Sequence, residues 1–239
     1  MRDSDLPKIS ILTPTYNRSK FLPLYLHNLK GLNYPHNKLE VCIDDDGTEP
    51  FCDYELLREQ IRPMTLVYHR DQKRRTIGEK RNHLVKKLSS NKILCFMDDD
   101  DIYDSQYILY SYKCLVDNKC GLVGSSSMLF TYPELDFKLT GIKCSKKFQI
   151  HEATMLFTRQ YFRSMGGFQK TSQGEGASFI QNQDKNVFNT DINYVMVCVG
   201  HQGNSVDKLQ FSGDDLKLDI FKGPEVDILK AILCLEIKK

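Results

Sequence analysis

Four consecutive carboxylates, Asp98-Asp99-Asp100-Asp101, follow directly on the apolar run Ile93-Leu94-Cys95-Phe96-Met97. In water such neighbours repel one another. At the C-terminal edge of a buried strand, where α/β sheets bind their ligands, they can share a hard divalent cation with a phosphate. An acidic run taken alone is a solvated turn, so the choice between the two readings rests on the other polar clusters. A calcium-binding helix–loop–helix is excluded, because Tyr103 stands where that loop needs glycine.

Three further clusters flank apolar runs. Pro14-Thr15-Tyr16-Asn17-Arg18 follows Ile9–Leu12, Asp44-Asp45-Asp46-Gly47-Thr48 follows Leu39–Ile43, and Gly78-Glu79-Lys80-Arg81-Asn82 opens a stretch carrying Leu84, Val85 and Leu88. Singly, the first two suit turns that end strands, and Lys80 and Arg81 suit a solvated helix start. Cations near a helix N-terminus are equally suited to holding a diphosphate.

The elements that must position these clusters follow from periodicity. Ile9–Leu12, Leu39–Ile43, Met64–Tyr68 and Ile93–Met97 read as buried strands. Helical spacing covers Phe21 to Leu29, Tyr54 to Gln60 and the stretch after Gly78. This alternation predicts an α/β fold with a parallel sheet, right-handed crossovers and a site along the strand C-terminal edge. After about residue 118 the pattern loosens: Gly121–Gly124, Met155–Phe157 and Val195–Val199 read as strands, and Gly166-Gly167 and Gly174-Glu175-Gly176 as loops. Val226 to Ile237 reads as an amphipathic helix.

The 239 residues, 41% of them hydrophobic, suffice for one substantial core, and a net charge of +2 from 33 basic and 31 acidic residues gives no field for a nucleic-acid partner. The eight cysteines form no CxxC pair and several lie in strand-like runs, which predicts reduced core thiols. No apolar stretch reaches the roughly 20 residues of a membrane helix. The expectation is a cytoplasmic protein, soluble or peripherally membrane-associated, without a transmembrane segment; nothing in the sequence sets its oligomeric state.

In order and spacing, the four clusters resemble family 2 glycosyltransferases of the GT-A fold, over about residues 8 to 205. The resemblance implies a Rossmann-like nucleotide-diphospho-sugar transferase with a mixed, mainly parallel central sheet. Residues 8–117 would bind the nucleotide sugar, 118–205 would form the acceptor and catalytic half, and 206–239 would be a helical extension. It implies an inverting, metal-dependent enzyme that moves a sugar from a nucleoside-diphosphate sugar, a UDP-sugar in first place, to a hydroxyl on a glycan, lipid or protein.

On the matching positions, Pro14, Thr15 and Tyr16 would line the nucleobase and ribose pocket, Asp46 with Asp45 beside it would hold the base, and Arg81, in preference to Lys80, the diphosphate. Asp98 and Asp100 would take the two D positions of the DxD motif, with Mn²⁺ or Mg²⁺ on Asp100, Asp99 facing the ribose, and a register open by one residue. His201 would be a further metal ligand and Asn204 a phosphate contact. Glu175 would be the general base. The family shows a Glu-Asp pair there, whereas this chain has Glu175-Gly176; Asp184 is the fallback, and His151 and Glu152 border the acceptor. Two rivals stand beside this reading: a catalytically silent sugar-nucleotide or glycan-binding module, and a nucleotidyltransferase, which would ordinarily show a glycine-rich phosphate loop where this chain has Pro14-Thr15-Tyr16-Asn17.

Overall fold

The computed structural model describes residues 3–143, 149–180, 186–204, 207–213 and 220–234. In chain order the elements are β1 (Ile9–Thr15), α1 (Leu22–Gly31), β2 (Leu39–Asp45), α2 (Tyr54–Gln60), β3 (Thr65–Arg70), α3 (Ile77–His83), β4 (Ile93–Phe96), β5 (Ile102–Tyr103) and α4 (Tyr107–Asp117). There follow β6 (Leu122–Gly124), β7 (Ser127–Tyr132), β8 (Lys138–Lys143), β9 (Leu156–Thr158), α5 (Arg159–Met165), α6 (Ala177–Ile180), β10 (Val187–Asn189), β11 (Met196–Val199) and α7 (Glu225–Ile232). Asp184 and the end of the amphipathic stretch Val226 to Ile237 lie outside the described residues.

A seven-stranded sheet runs β10-β6-β9-β4-β1-β2-β3. All its pairs are parallel except those of β9, which runs against both β4 and β6. The central strands are buried on both faces, as apolar parallel strands must be when helices cover them: Ile9, Ile11, Leu12, Val41, Ile43, Leu94, Cys95 and Phe96 are fully enclosed. The mainly parallel sheet expected from the sequence is what the chain forms.

The reversal at β9 matters for the site. Because β9 is antiparallel to β4, with Cys95 beside Leu156 and Phe96 N bonded to Met155 O at 3.0 Å, the segment that enters β9 arrives at the same sheet edge that β4 leaves. His151 and Glu152 thereby face the region of the aspartate run. A second sheet, β5-β11-β7-β8, begins immediately after that run. Its β11 lies antiparallel to β5 and ends two residues before His201.

Local choices agree with these elements. α1 carries Pro23 in its first turn, where a missing N–H costs nothing. α3 opens with a capping box in which Thr76 Oγ1 accepts from Glu79 N at 3.2 Å and Glu79 Oε2 accepts from Thr76 N at 3.0 Å. It then runs on into a π-helical turn over Leu84–Leu88. Of the seven described cysteines, none is disulfide-bonded; Cys42, Cys52, Cys95, Cys120 and Cys198 are buried, whereas Cys114 is half-buried and Cys234 exposed. No helix among the described residues is long and apolar enough to cross a membrane.

Candidate active site

A cavity of about 660 Å³ opens at the C-terminal edge of β1 and β4. Its wall includes Pro14, Tyr16 and Arg18 from the end of β1, Lys80 and Arg81 from α3, all four residues Asp98–Asp101, His151 and Glu152 ahead of β9, Glu175, and His201, Asn204 and Lys208 after β11. Residues separated by nearly 200 positions in sequence are thus gathered by two sheets that meet at the aspartate run.

Each aspartate of the run has a different employment. Asp101 is structural: its Oδ1 accepts from Val199 N at 2.9 Å, and its carbonyl accepts from Asn28 Nδ2 at 2.8 Å, tying the run to β11 and α1. Asp100 Oδ2 takes the guanidinium of Arg18 and His201 Nε2, the latter at 2.9 Å, with Asn204 Nδ2 at 3.4 Å. Asp99 is buried, and its Oδ2 has no hydrogen-bond partner among the described residues; neither has Asp98 Oδ1. Buried polar atoms are nearly always hydrogen-bonded, so two carboxylate oxygens without a hydrogen bond in one wall, that of Asp98 reached only by the Arg81 charge at 3.8 Å, leave room for a cationic ligand.

The electrostatics agree. Burial and the neighbouring acids push the carboxyls of Asp98 and Asp99 up, and Asp101 up to about 7. Asp100 is the exception: against a burial that would raise it, the His201 hydrogen bond and the Arg18 charge hold it at about 2. Burial and mutual repulsion together disfavour full ionisation of the run, and a bound cation would relieve both. The donor set of hard carboxylate oxygens with one imidazole fits Mn²⁺ or Mg²⁺. Asp98, Asp100 and His201 do not, however, converge on one ion-sized position: among the described residues the group whose ligand atoms all lie within 4.8 Å is Asp44, His69 and His83. That group lies outside the cavity wall, and Arg75 Nη1 sits 2.9 Å from Asp44 Oδ2, supplying the positive charge there.

The acids after β2 differ from expectation. Asp45 was assigned to the nucleobase, but it is fully buried behind the wall: Oδ1 accepts from Gly47 N at 2.8 Å, and Oδ2 from Phe51 N at 2.8 Å and Tyr68 Oη at 2.7 Å. A carboxylate that takes two backbone donors of its own turn and the Tyr68 hydroxyl from β3 is committed to the fold and not to a base. Thr15 is likewise buried and outside the wall, with its carbonyl accepting from Lys80 Nζ at 2.7 Å. Asp46 lies one layer behind the cavity, bonded to Lys80 Nζ and Arg74 Nη1, both at 2.7 Å, and to Arg75 N at 2.7 Å. Of the first cluster, Pro14 and Tyr16 do reach the wall, and the Arg74 guanidinium lies 3.4 Å from the Tyr16 ring centroid.

Arg81 is held by three contacts: Nε donates to Glu175 Oε1 at 3.1 Å, Nη2 lies 3.8 Å from Asp98 Oδ1, and the guanidinium stacks 4.2 Å from the centroid of Phe96. Its Nη1 is buried without a partner. Asp98 and Glu175 raise its pKa against the opposing effect of burial, so the charge is fixed. Lys80 is by contrast consumed by Asp46 and the Thr15 carbonyl, and burial lowers its pKa. Glu175 and Glu152 both line the cavity, and Glu152 Oε1 accepts from Gly176 N at 2.9 Å. His151 Nε2 is buried without a partner, and burial with the nearby Lys208 charge lowers its pKa to about 4, so the ring is neutral at pH 7.

Sequence reasoning missed Arg18 as the partner of Asp100, Arg74 as the cover of Tyr16, and Lys208 in the cavity wall. Arg18 stood within the first cluster and could have been matched to the acidic run by charge. Arg74 and Lys208 had no local pattern around them.

Known proteins bear on this geometry. The profile described as glycosyl transferase family 2 matches residues 10–186. No curated protein matches the chain by sequence. Among solved structures, the mannosyltransferase PcManGT from Pyrobaculum calidifontis, in complex with GDP-Man and Mn²⁺, superposes with a TM-score of 0.61 at 18% identity, over 87% of this chain and 60% of that one. Residues 1–349 of S. aureus TarS, in complex with UDP-GlcNAc, superpose with a TM-score of 0.65 at 13% identity, over 95% and 66%. The chain therefore spans about two thirds or less of these structures, and the likeness shows the GT-A fold.

Proposed function

The chain belongs to glycosyl transferase family 2, and from that premise we propose that it transfers a sugar from a nucleoside-diphosphate sugar to a hydroxyl acceptor, with inversion and with a divalent cation at the aspartate run. The observation that carries this reading is the convergence of a fixed guanidinium, Arg81, with two orphaned carboxylate oxygens on one cavity wall. A diphosphate and its cation satisfy both kinds of group together, and neither satisfies both alone.

Mn²⁺ or Mg²⁺ would be held at the aspartate run by Asp100 and His201, now bonded to each other at 2.9 Å, with Asp98 drawn in from its present position. When bound, such an ion neutralises charge on the departing nucleoside diphosphate. Arg18 pairs with Asp100 and so keeps that carboxylate ionised and oriented before a ligand arrives. Arg81 is placed to bind the diphosphate through Nη1, and Glu175 keeps its guanidinium aimed. Tyr16, 36% exposed beside Pro14, offers a flat face for the nucleobase once Arg74 slides from its ring. A UDP-sugar is the first donor to try, followed by a GDP-sugar, since those are the ligands of the two similar structures. The acceptor would be a hydroxyl of a glycan, lipid or protein, and the enzyme would work in the cytoplasm, soluble or at a membrane surface.

Titration calorimetry of UDP-GlcNAc and GDP-mannose into the protein, with Mn²⁺ and with EDTA, tests the reading. Binding of one donor that EDTA weakens at least tenfold is expected, and Asp100→Asn should abolish the metal dependence. Absence of binding by either donor in Mn²⁺ would overturn it.

A further inference from the structure

We propose that Glu152 is the general base of the transfer, the group that takes the proton from the acceptor hydroxyl. This rests on the transferase reading above and adds to it the identity of the group that activates the acceptor.

Glu152 and Glu175 both line the cavity, and their surroundings separate their roles. Glu175 turns its carboxylate onto Arg81 Nε at 3.1 Å, and the same guanidinium is stacked on Phe96 and reaches toward Asp98. It is a strut for a cation. Glu152 accepts a single hydrogen bond, from Gly176 N to Oε1 at 2.9 Å; among the described residues no donor engages its Oε2. That one bond fixes the carboxylate in the wall and leaves its second oxygen for a proton, the arrangement a general base requires.

Gly176 supplies the second argument. A Cβ built on residue 176 would lie 2.5 Å from Glu152 Oε1 and 2.7 Å from its Cγ. The Glu152 side chain therefore occupies the room that any side chain at 176 would need. The missing carboxylate of the Glu-Asp pair expected at 175–176 is thus replaced in space by one that enters from the segment ahead of β9. His151, the neighbour in the same wall, is a poor alternative, because its ring binds a proton only near pH 4.

In the step itself, the acceptor oxygen forms a bond to the anomeric carbon of the nucleotide sugar while the bond from that carbon to the diphosphate oxygen breaks. The electron pair of the broken bond leaves on the diphosphate. The hydroxyl proton passes to Glu152 Oε2, and water removes it before the next turnover.

The test uses water and azide as acceptors, so that no natural acceptor need be known. Glu152→Gln keeps an oxygen for Gly176 N and removes only the basicity. With UDP-GlcNAc or GDP-mannose in Mn²⁺, this variant should bind the donor within about twofold of wild type and hydrolyse it about 100-fold more slowly, in line with the usual contribution of a general base. Azide, which attacks without losing a proton, should restore donor consumption and yield the glycosyl azide. Glu175→Gln should lose activity that azide does not restore. Hydrolysis by Glu152→Gln at the wild-type rate, or a loss that azide leaves unrepaired, overturns the assignment while the transferase reading stands. Wild-type protein that neither binds nor hydrolyses either donor overturns the transferase reading itself.

Discussion

Asp98–Asp101 illustrate how far identical side chains diverge once a fold places them. Asp101 serves the backbone, Asp100 faces the Arg18 guanidinium and the His201 ring, and Asp98 and Asp99 each keep a buried oxygen without a hydrogen bond. The sequence made the run conspicuous and its place at a strand end legible, but spacing alone could not say which carboxylate meets which partner, because Arg18 and His201 come from opposite ends of the chain. His151 gives a test at this scale. An ordinary histidine pKa lies near 6.5, whereas in the folded protein burial and Lys208 lower it to about 4. Above pH 6.5 both states carry it neutral; between 6.5 and 4 the unfolded chain takes up a proton that the folded chain refuses. Stability should therefore fall as pH falls through that window, by on the order of 3 kcal/mol at most. Urea unfolding at pH 7.5 and pH 5 should show the loss shrink in His151→Leu, and an identical loss in wild type and variant would remove His151 as its source.

At the level of elements, the turn after β2 shows why motif matching misplaced a residue. In Asp45-Asp46-Gly47 either carboxylate could have faced the ligand on sequence grounds. Strand alternation and the geometry of the turn send Asp45 inward, where Gly47 N, Phe51 N and Tyr68 Oη consume it. Asp45→Ala leaves those donors unsatisfied in a dry site and should cost about 2 to 4 kcal/mol of unfolding free energy, measured by chemical denaturation, with donor affinity changed far less than stability. An equal loss of affinity at full stability would return Asp45 to the ligand. Strands β1 to β4, β6, β9 and β11, by contrast, were legible almost to their ends, because continuous apolar runs bounded by polar clusters leave little choice, whereas β5, β7, β8 and β10 carry no such run and were missed. α3 was legible too, and its second half as a π-helical turn was not, since side-chain spacing over Leu84–Leu88 does not distinguish the two windings. Gly78 shows how tightly this helix start is packed: a Cβ there would meet the Gln169 carbonyl oxygen at 1.7 Å, and Gly78 N is bonded to Thr171 O at 2.9 Å. The loop bearing Glu175 is in this way braced against the helix bearing Arg81.

Across the whole molecule, described residues beyond 205 pack against the elements that precede them. Lys208 lines the cavity, and α7 docks on α1 through the pair His27 Nε2 and Glu225 Oε1 at 3.0 Å. Leu229 of α7 is fully buried in a cluster with Phe21, Leu24, Ile102, Phe137 and Val199. Phe21 packs 4.6 Å from the His201 ring, centroid to centroid, so the helix backs the site. Leu229→Ala should destabilise the protein by about 2 to 5 kcal/mol, read from thermal or urea unfolding; a change below about 0.5 kcal/mol would mean that α7 is dispensable. The amphipathic pattern of this stretch was visible in the sequence, but its berth was not, because nothing local records which distant surface is apolar and uncovered.

The reversed strand β9 separates two kinds of inheritance within one sheet. Tyr16, Arg81 and the aspartate run lie along the forward-running part of the sheet, where the alternation of strand and helix leaves short connections and little freedom. Glu152 and His151 precede a strand that runs the other way, so they reach the site from a chain direction opposite to that of β1, β2 and β4. One sheet thereby offers its cavity two separate approaches, the exits of its forward strands and the entrance of the strand that returns.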